Sequence, residues 1–267
     1  METLICNGAL SRPAVSIRAL GRLAALAGVC ALAACGSVQK DPTAKWDAEH
    51  LYKEAHTELT ASNWSHAREL FEKLESRYPF GRYAQQGQIE IAYTYYKEGE
   101  TADALDATER FLKANPSHPN VDYVYYLKGL INFIEPPALI GRLVGYKVSE
   151  RDPKAMRDSF EAFKELVSRF PDSRYAPDAR VRLRYLQNAL AGHEVRVADY
   201  YYRRGAYLAT IARAQGALRE FPGSAAQPEA LRLLAQSYQA LGLTELQADA
   251  ERVLRLNYPL PVAVKNP

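Results

Sequence analysis

The most reactive side chains of this sequence are thiols, and all three lie near its start. Cys6, Cys30 and Cys35 are the only cysteines among the 267 residues. The small residues Ala33 and Ala34 precede Cys35 and allow an enzyme close access to its thiol. Because no cysteine follows Cys35, the rest of the chain can form neither a disulfide framework nor a cysteine-ligated metal site.

The segment that ends at Cys35 has the composition of a secretory signal. Arg12, Arg18 and Arg22 precede an uncharged apolar run, 23–34, which is too short to span a bilayer. This run and the cysteine after it resemble the lipobox of bacterial lipoproteins, in which the thiol receives a diacylglycerol. A plain secretory signal with incidental cysteines is the alternative interpretation.

The lipobox resemblance implies a domain order for the N-terminal part of the chain. Residues 1–34 would be a signal peptide, and 35–45 a lipidated flexible linker. A covalent diacylglycerol and an N-acyl chain on Cys35 would anchor the protein in a membrane. Gly36 stands where an aspartate retains enterobacterial lipoproteins in the inner membrane, so the resemblance implies the periplasmic face of the outer membrane.

Signatures of catalysis are missing from the sequence. It contains no HExxH motif, no G-x-S-x-G elbow and no phosphate-binding glycine loop. The chain has 34 basic and 31 acidic residues, a net charge of +3, whereas nucleic-acid binding usually requires a strong basic excess. We therefore expect neither an enzyme nor a nucleic-acid binder, and no metal or cofactor beyond the acyl chains.

Tyrosine and arginine are concentrated at a few places. Tyrosines cluster in 93–96 and 123–126, where consecutive helical positions force at least one ring of each cluster away from the core. Arginines are frequent between 180 and 213. These arginines are either a solvated helix surface or a clamp for the carboxylates of an acidic partner.

A repeated proline marks the elements that must position these side chains. Apolar helical patterns end at an X-Pro pair five times, at prolines 79, 116, 171, 222 and 259. Small residues recur twelve and 24 positions before most of these prolines. Helix pairs of about 34 residues need small residues where the two helices touch, and proline stops the second helix. The sequence therefore predicts an all-α tetratricopeptide-repeat solenoid of five helix pairs.

Two irregular spacings are assigned to particular repeats. Gly129 and Ser159 lie 30 residues apart where twelve are expected, which predicts an insertion in the third repeat. Extra residues without proline at about 178–191 predict an elongated helix that opens the fourth repeat. We expect N-terminal repeats over 46–133, C-terminal repeats over 134–259 and a tail over 260–267.

Ten helices follow from this register, and three of them start near a capping residue. Asn63, Thr101 and Thr244 are expected to cap the second, fourth and tenth helices. The predicted helices are 46–60, 64–77, 82–97, 101–114, 119–133, 154–169, 175–203, 206–220, 225–241 and 245–257.

The same register predicts a binding groove along the first helix of each pair. Tyrosine supplies contact area and a hydrogen bond at low entropic cost, which suits an extended peptide with aromatic or apolar side chains. The alternative is that these rings only fill the interior. The predicted groove residues are Tyr52, His56, Tyr93, Tyr96, Tyr123 and Tyr126.

Several motifs resemble one known family, the outer-membrane lipoproteins BamD, also called YfiO or ComL. They include Arg77-Tyr78-Pro79-Phe80-Gly81, His118-Pro119-Asn120, Arg151-Asp152-Pro153 and Arg204-Gly205-Ala206, and the resemblance runs from about residue 46 to 257. It also covers the lipobox and both irregular spacings, so it is more specific than a general repeat pattern.

The resemblance implies a subunit of the outer-membrane β-barrel assembly machine. Its C-terminal repeats would dock on the last periplasmic domain of BamA, with Arg213 at the family position that faces BamA and Arg204 nearby in sequence. Its N-terminal repeats would receive unfolded outer-membrane proteins, and other assembly-machine lipoproteins would bind the same scaffold. The alternative function is an envelope lipoprotein that assembles a pilus secretin or coordinates peptidoglycan synthesis.

Overall fold

The computed structural model describes residues 41–133 and 153–259. The chain divides into two units, Met1–Trp46 and Asp47–Pro267. The described end of the first unit is a turn, in which the amide and the hydroxyl of Thr43 donate to Oδ1 of Asp41 at 2.9 and 2.7 Å. The predicted signal peptide, Cys35 and the predicted 260–267 tail lie outside the described residues.

The second unit is all-α over its described residues, as the sequence predicts. Every helix boundary lies within two residues of its predicted position, because the proline and small-residue columns fix the register locally. The helices are α1 (Ala48–Thr60), α2 (Trp64–Arg77), α3 (Arg82–Glu98), α4 (Thr101–Ala114), α5 (Val121–Asn132), α6 (Pro153–Arg169), α7 (Ala176–Arg203), α8 (Tyr207–Glu220), α9 (Gln227–Ala240) and α10 (Thr244–Asn257).

The X-Pro pairs end the even-numbered helices. Each of these helices stops two residues before its proline, and the residue between them closes the last turn. The amide of Tyr78 donates to the carbonyl of Leu74 at 2.8 Å, and that of Tyr258 donates to Leu254 at 2.9 Å. Proline then cannot donate the next bond and disfavours helical geometry in the preceding residue, so the chain turns.

The predictions that three residues cap their helices were wrong. Asn63 occupies an N-cap but makes no side-chain cap bond; its Nδ2 instead donates to Oε2 of Glu58 at 2.7 Å. Thr101 and Thr244 are the first residues inside their helices, and the caps are Glu100 and Leu243. Tertiary contacts therefore stabilise these helix starts more than local capping does.

Small residues bring the two helices of each pair together, as predicted. Buried members of the two columns are Ala55, Ala67, Ala92, Ala104, Gly129, Ser159, Ala198, Thr210 and Ala235. The hydroxyls of two second-helix members bond the backbone of the first helix: Ser159 Oγ donates to the Gly129 carbonyl at 2.8 Å, and Thr210 Oγ1 to that of Ala198 at 3.3 Å. Gln247 is the half-buried exception.

Large rings fill the remaining space between the helices. Phe71 of α2, Phe111 of α4, Phe163 of α6 and Phe221 after α8 are fully buried. Consecutive helices are in contact throughout the described part of the second unit, and α1 also contacts α3, α3 contacts α5, and α7 contacts α9. The odd-numbered helices α1, α3 and α5 therefore lie side by side, as do α7 and α9.

The structure tests one of the two predictions drawn from the irregular spacings. The elongated helix is present, since α7 runs for 28 residues without interruption. The predicted insertion falls on 134–152, which lies outside the described residues. The division into N-terminal and C-terminal repeats at residue 134 stays a prediction.

Candidate functional site

Aromatic rings form a row along the odd-numbered helices. On a helix, residues three and four positions apart share a face. That spacing joins Tyr52 to His56 on α1, Tyr93 to Tyr96 on α3, and Tyr123 to Tyr126 on α5. We call these six residues, with Tyr83 of α3 and Tyr175 at the start of α7, the tyrosine face.

Within the tyrosine face, ring contacts join α1 to α3 and α5 to the start of α7. The Tyr52 centroid lies 5.3 Å from that of Tyr83 and 6.0 Å from that of His56. On the other side, Tyr175 lies 5.3 Å from Tyr123 and stacks on Tyr126 at 4.9 Å and 20°. Such pairs are worth about 0.5–1.5 kcal/mol beyond the area they bury, so the row is a preformed aromatic surface.

The neighbouring tyrosines point the other way. Tyr95 lies under the guanidinium of Arg68, 4.4 Å from the ring centroid, and Tyr125 accepts a hydrogen bond from Arg169 Nη1 at 2.5 Å. Both arginines belong to even-numbered helices. The structure thus divides each tyrosine cluster between two faces and places all six predicted groove residues together, most of them half-buried and His56 exposed.

A carboxylate that sequence analysis missed lies within the tyrosine face. Glu90 of α3 accepts a hydrogen bond from Gln86 Nε2 at 2.8 Å, and Asn120 Nδ2 holds the Gln86 oxygen at 2.9 Å. Burial raises the pKa of Glu90, while the bond from Gln86 and the nearby His56 lower it. The spacing of Gln86, Glu90 and Tyr93 could have revealed this residue, because the three share one helix face.

The charge of Glu90 affects the rings around it. Burial is the main cause of the raised pKa of both Tyr52 and Tyr123, and the Glu90 carboxylate raises the pKa of each further. Both hydroxyls therefore stay protonated near neutral pH and can donate hydrogen bonds. The middle of the tyrosine face combines one carboxylate with neutral hydrogen-bond donors.

Tyr126 is fixed by its own network. Its hydroxyl donates to Oδ2 of Asp178 at 2.7 Å, and Arg182 Nε donates to the same oxygen at 2.6 Å. The Arg182 guanidinium in turn lies 4.7 Å from the centroid of Phe133. Because the hydroxyl of Tyr126 is already bonded, this residue offers a partner its ring rather than its polar group.

The second predicted site, around Arg213, is an ion-pair cluster. Arg213 Nη1 lies 3.1 Å from Oε2 of Glu194, whose side chain is only 14% exposed. Arg157 of α6 lies 3.6 Å from the other oxygen of Glu194 and 2.9 Å from Glu220. Arg213, itself half exposed, is thereby held on the surface of α8 beside a carboxylate shared by two arginines.

Arg204 and Arg213 do not meet. Arg204 follows α7, where its guanidinium lies 5.0 Å from the ring centroid of Tyr200. Glu194, the partner of Arg213, is ten residues earlier, about 15 Å along the helix at 1.5 Å per residue. The arginines between 180 and 203 extend along about 35 Å of α7 by the same measure, so they do not form one patch.

Neither a metal site nor a membrane span is found among the described residues. No group of histidine, cysteine and carboxylate side chains there could hold a metal ion. No described helix has the length and apolar character needed to cross a membrane.

Comparisons with known proteins match most of the chain to one family. Residues 44–254 match the family model described as YfiO, outer membrane lipoprotein. A relative from Neisseria meningitidis serogroup A, named outer membrane protein assembly factor BamD, is 47% identical over 234 residues, covering 86% of this chain and 88% of that protein. A Vibrio cholerae relative of the same name is 36% identical and covers 87% and 97%.

Solved structures with related repeats are more distant. A Podosopora anserina kinesin light chain with TPR-like repeats is 13% identical to this chain. The match covers 77% of this chain and 92% of that protein, with a TM-score of 0.33. A similarity of that size supports no inference about function.

Proposed function

This chain belongs to the YfiO family of outer membrane lipoproteins, and from that premise we propose that it is a scaffold subunit of the machinery that assembles β-barrel proteins in the outer membrane. The names of the Neisseria and Vibrio relatives support this role. An acylated Cys35 would hold the subunit on the periplasmic face of the outer membrane. The scaffold works by binding other proteins and not by catalysis.

The observation that carries the proposal is the tyrosine face, in which ring contacts join α1 to α3 and α5 to the start of α7. It presents rings from α1, α3, α5 and α7 on adjoining helices, with neutral hydroxyls among them. An unfolded β-barrel protein exposes segments in which apolar or aromatic side chains alternate with polar ones, and its backbone needs hydrogen-bond partners. Tyrosine meets both needs, so we assign the binding of unfolded outer-membrane proteins to this face.

Arg213 is our candidate for docking on the periplasmic domain of BamA. The cluster with Glu194 and Arg157 holds its guanidinium at the surface with hydrogen atoms available for a partner carboxylate. Arg204, exposed beyond the end of α7, would belong to a separate part of the same interface. Other assembly-machine lipoproteins would bind elsewhere on the scaffold.

Photocrosslinking at paired positions tests the binding of unfolded proteins. A benzophenone amino acid replaces Tyr96 in one variant and Tyr95 in its control, and Tyr126 and Tyr125 form a second pair. We expect crosslinks to newly exported outer-membrane proteins from Tyr96 and Tyr126 only, because the control residues lie against the even-numbered helices. Equal crosslinking from all four positions contradicts the assignment.

Depletion of the protein tests the wider role. Loss of a barrel-assembly scaffold should lower the amounts of barrel proteins in the outer membrane, and BamA should co-purify with the intact protein. Unchanged barrel proteins after complete depletion, together with co-purification of a pilus secretin or of peptidoglycan synthases, would favour the alternative function.

A further inference from the structure

A mostly apolar groove lies at the C-terminal end of the described chain. Its volume is about 700 Å³, and it runs between the start of α9 and the end of α10. Ala225, Pro228 and Leu254 contribute aliphatic surface, and Tyr258 and Pro259 line it where the described residues end. We call it the C-terminal groove. Apolar surface that is concave and open to water favours the binding of another apolar segment.

The helix beside this groove has little covering it. Ala250 is the only buried residue of α10 in the described part of the chain, whereas α9 buries seven. Leu256 is 74% exposed and Leu246 is 47% exposed. In a repeat protein each helix pair is covered by the next, and the last pair needs a cap instead. A segment seated in the C-terminal groove would bury apolar surface of this last pair.

In earlier repeats, the chain that follows the X-Pro pair packs against the preceding helix pair. The residue four positions after the proline is Tyr83, Tyr175 or Ala226 in three of these repeats. The Tyr83 ring lies 5.3 Å from that of Tyr52 on α1, and the Tyr175 ring lies 4.9 Å from that of Tyr126 on α5. Ala226 packs against two core clusters. The same short segment therefore contacts the preceding pair each time.

This register leads from the last X-Pro pair to the C-terminal groove. Tyr126 stands three residues before Gly129, the small residue of its helix, and Arg232 stands three residues before Ala235 in the same way. Arg232 lines the C-terminal groove. Four residues after the last of the five prolines comes Ala263. Repetition of the earlier contact would bring Ala263 to the groove beside Arg232.

The segment that follows Pro259 has the composition to fill an apolar groove. Four of its first five residues are aliphatic: Leu260, Val262, Ala263 and Val264. The hydroxyl of Tyr258 donates to Oε1 of Gln227 at 2.5 Å, which ties the chain to the start of α9 just before this segment. Five residues extend at most about 18 Å, so the segment starts at the groove and stays within reach of it.

We propose that residues 260–264 occupy the C-terminal groove and cap the last helix pair. The cap takes the place that the first helix of a following repeat would approach, and a partner protein that binds the groove has to displace it. This inference goes beyond the proposed function and does not depend on it.

Disulfide formation in the full lipidated chain, in detergent micelles, tests the position of the segment. One variant carries Arg232→Cys with Ala263→Cys, and its control carries Gln239→Cys with Ala263→Cys. Gln239 is exposed on α9 but lies about 10 Å further along the helix, outside the groove lining. Under mild oxidation the first pair should form its disulfide about tenfold faster, because the cap holds those two thiols within reach. Mass spectrometry identifies the linked residues.

Hydrogen exchange tests the contribution of the apolar side chains. The variant is Val262→Asp with Val264→Asp, and Asn266→Asp is the control that adds a charge beyond the aliphatic stretch. Amides in the last turns of α10 should exchange about tenfold faster in the double variant, as expected for the loss of one buried aliphatic side chain. They should be unchanged in Asn266→Asp, and the amides of α3 serve as the reference for the global fold.

The outcomes that overturn the cap are distinct. Equal oxidation rates for the two cysteine pairs overturn it, and so does unchanged exchange in α10 of the double variant. Protection of α10 that appears only when a partner protein co-purifies also overturns it, because the partner and not the tail is then the occupant. None of these results bears on barrel assembly, so the proposed function is tested separately.

Discussion

Gly129 of α5 lies directly against the ring of Phe163 of α6. A Cβ on Gly129 would be 2.5 Å from Cε1 of that ring, well inside van der Waals contact. The Phe163 side chain is fully buried, and Ser159 on the same helix bonds the Gly129 carbonyl at 2.8 Å. The two helices that flank the predicted insertion are thus joined by a glycine, a phenylalanine and one buried hydrogen bond.

Gly129→Ala should destabilise the protein. The added methyl group has no room beside Phe163, and overpacking a core costs about 1–3 kcal/mol. Gly192→Ala is the matched control, because the nearest atom to its Cβ is Arg196 Nη1 at 3.9 Å. Alanine within a helix stabilises by about 0.5–1 kcal/mol relative to glycine, so urea denaturation should shift in opposite directions for the two variants.

Glu90→Gln should stabilise the protein near neutral pH. The pKa of Glu90 is raised in the folded state above its ordinary value of 4.5, so the folded state binds the proton more tightly than the unfolded state. Ionisation therefore opposes folding: stability falls as the pH rises through the folded pKa, and each unit of upward shift costs about 1.4 kcal/mol.

Unfolding curves of the two proteins across pH measure this effect. The advantage of Glu90→Gln should be largest above the folded pKa and should disappear as the pH falls below 4.5. Both proteins retain His56, so their difference reports the carboxyl. A variant less stable than the unaltered chain at neutral pH would contradict the claim that the charge is costly.

Arg213→Gln should weaken co-purification of BamA with little loss of stability. Arg213 is half exposed, and surface ion pairs contribute only about 0–1 kcal/mol. Arg157 continues to neutralise Glu194 in the variant. Arg169→Gln is the control, since that arginine is similarly exposed and lies 3.0 Å from Glu165. Undiminished co-purification by Arg213→Gln would remove Arg213 from the interface.

Cys35→Ala should release the protein from the membrane. Each buried methylene of an acyl chain contributes about 0.8 kcal/mol, so the loss of two or three chains removes the anchor. Metabolic labelling with palmitate should mark the unaltered protein and not the variant, and Cys30→Ala should leave labelling intact. A labelled Cys35→Ala variant would show that another residue is acylated.

Local sequence rules predicted the helices and the face on which the tyrosines lie. Proline at the end of each second helix fixed the register, and the 3.6-residue period then placed Tyr93 with Tyr96 and away from Tyr95. These features depend on neighbours within one or two turns. The predictions of capping residues were wrong at Thr101 and Thr244, because tertiary packing outweighs the local capping preference there.

Charge relationships depended on the tertiary structure. Glu90 is one of many glutamates in the sequence, and only the fold brings Tyr52 of α1 and Tyr123 of α5 close enough for its charge to raise the pKa of each. Arg213 meets Glu194 on α7, which Arg157 of α6 also approaches, because three helices converge there. Helix periodicity depends on residues that are close in sequence, so the sequence alone was enough to determine the helices. Burial and ion pairing depend on residues far apart in the chain, so the tertiary structure was needed to determine the electrostatics.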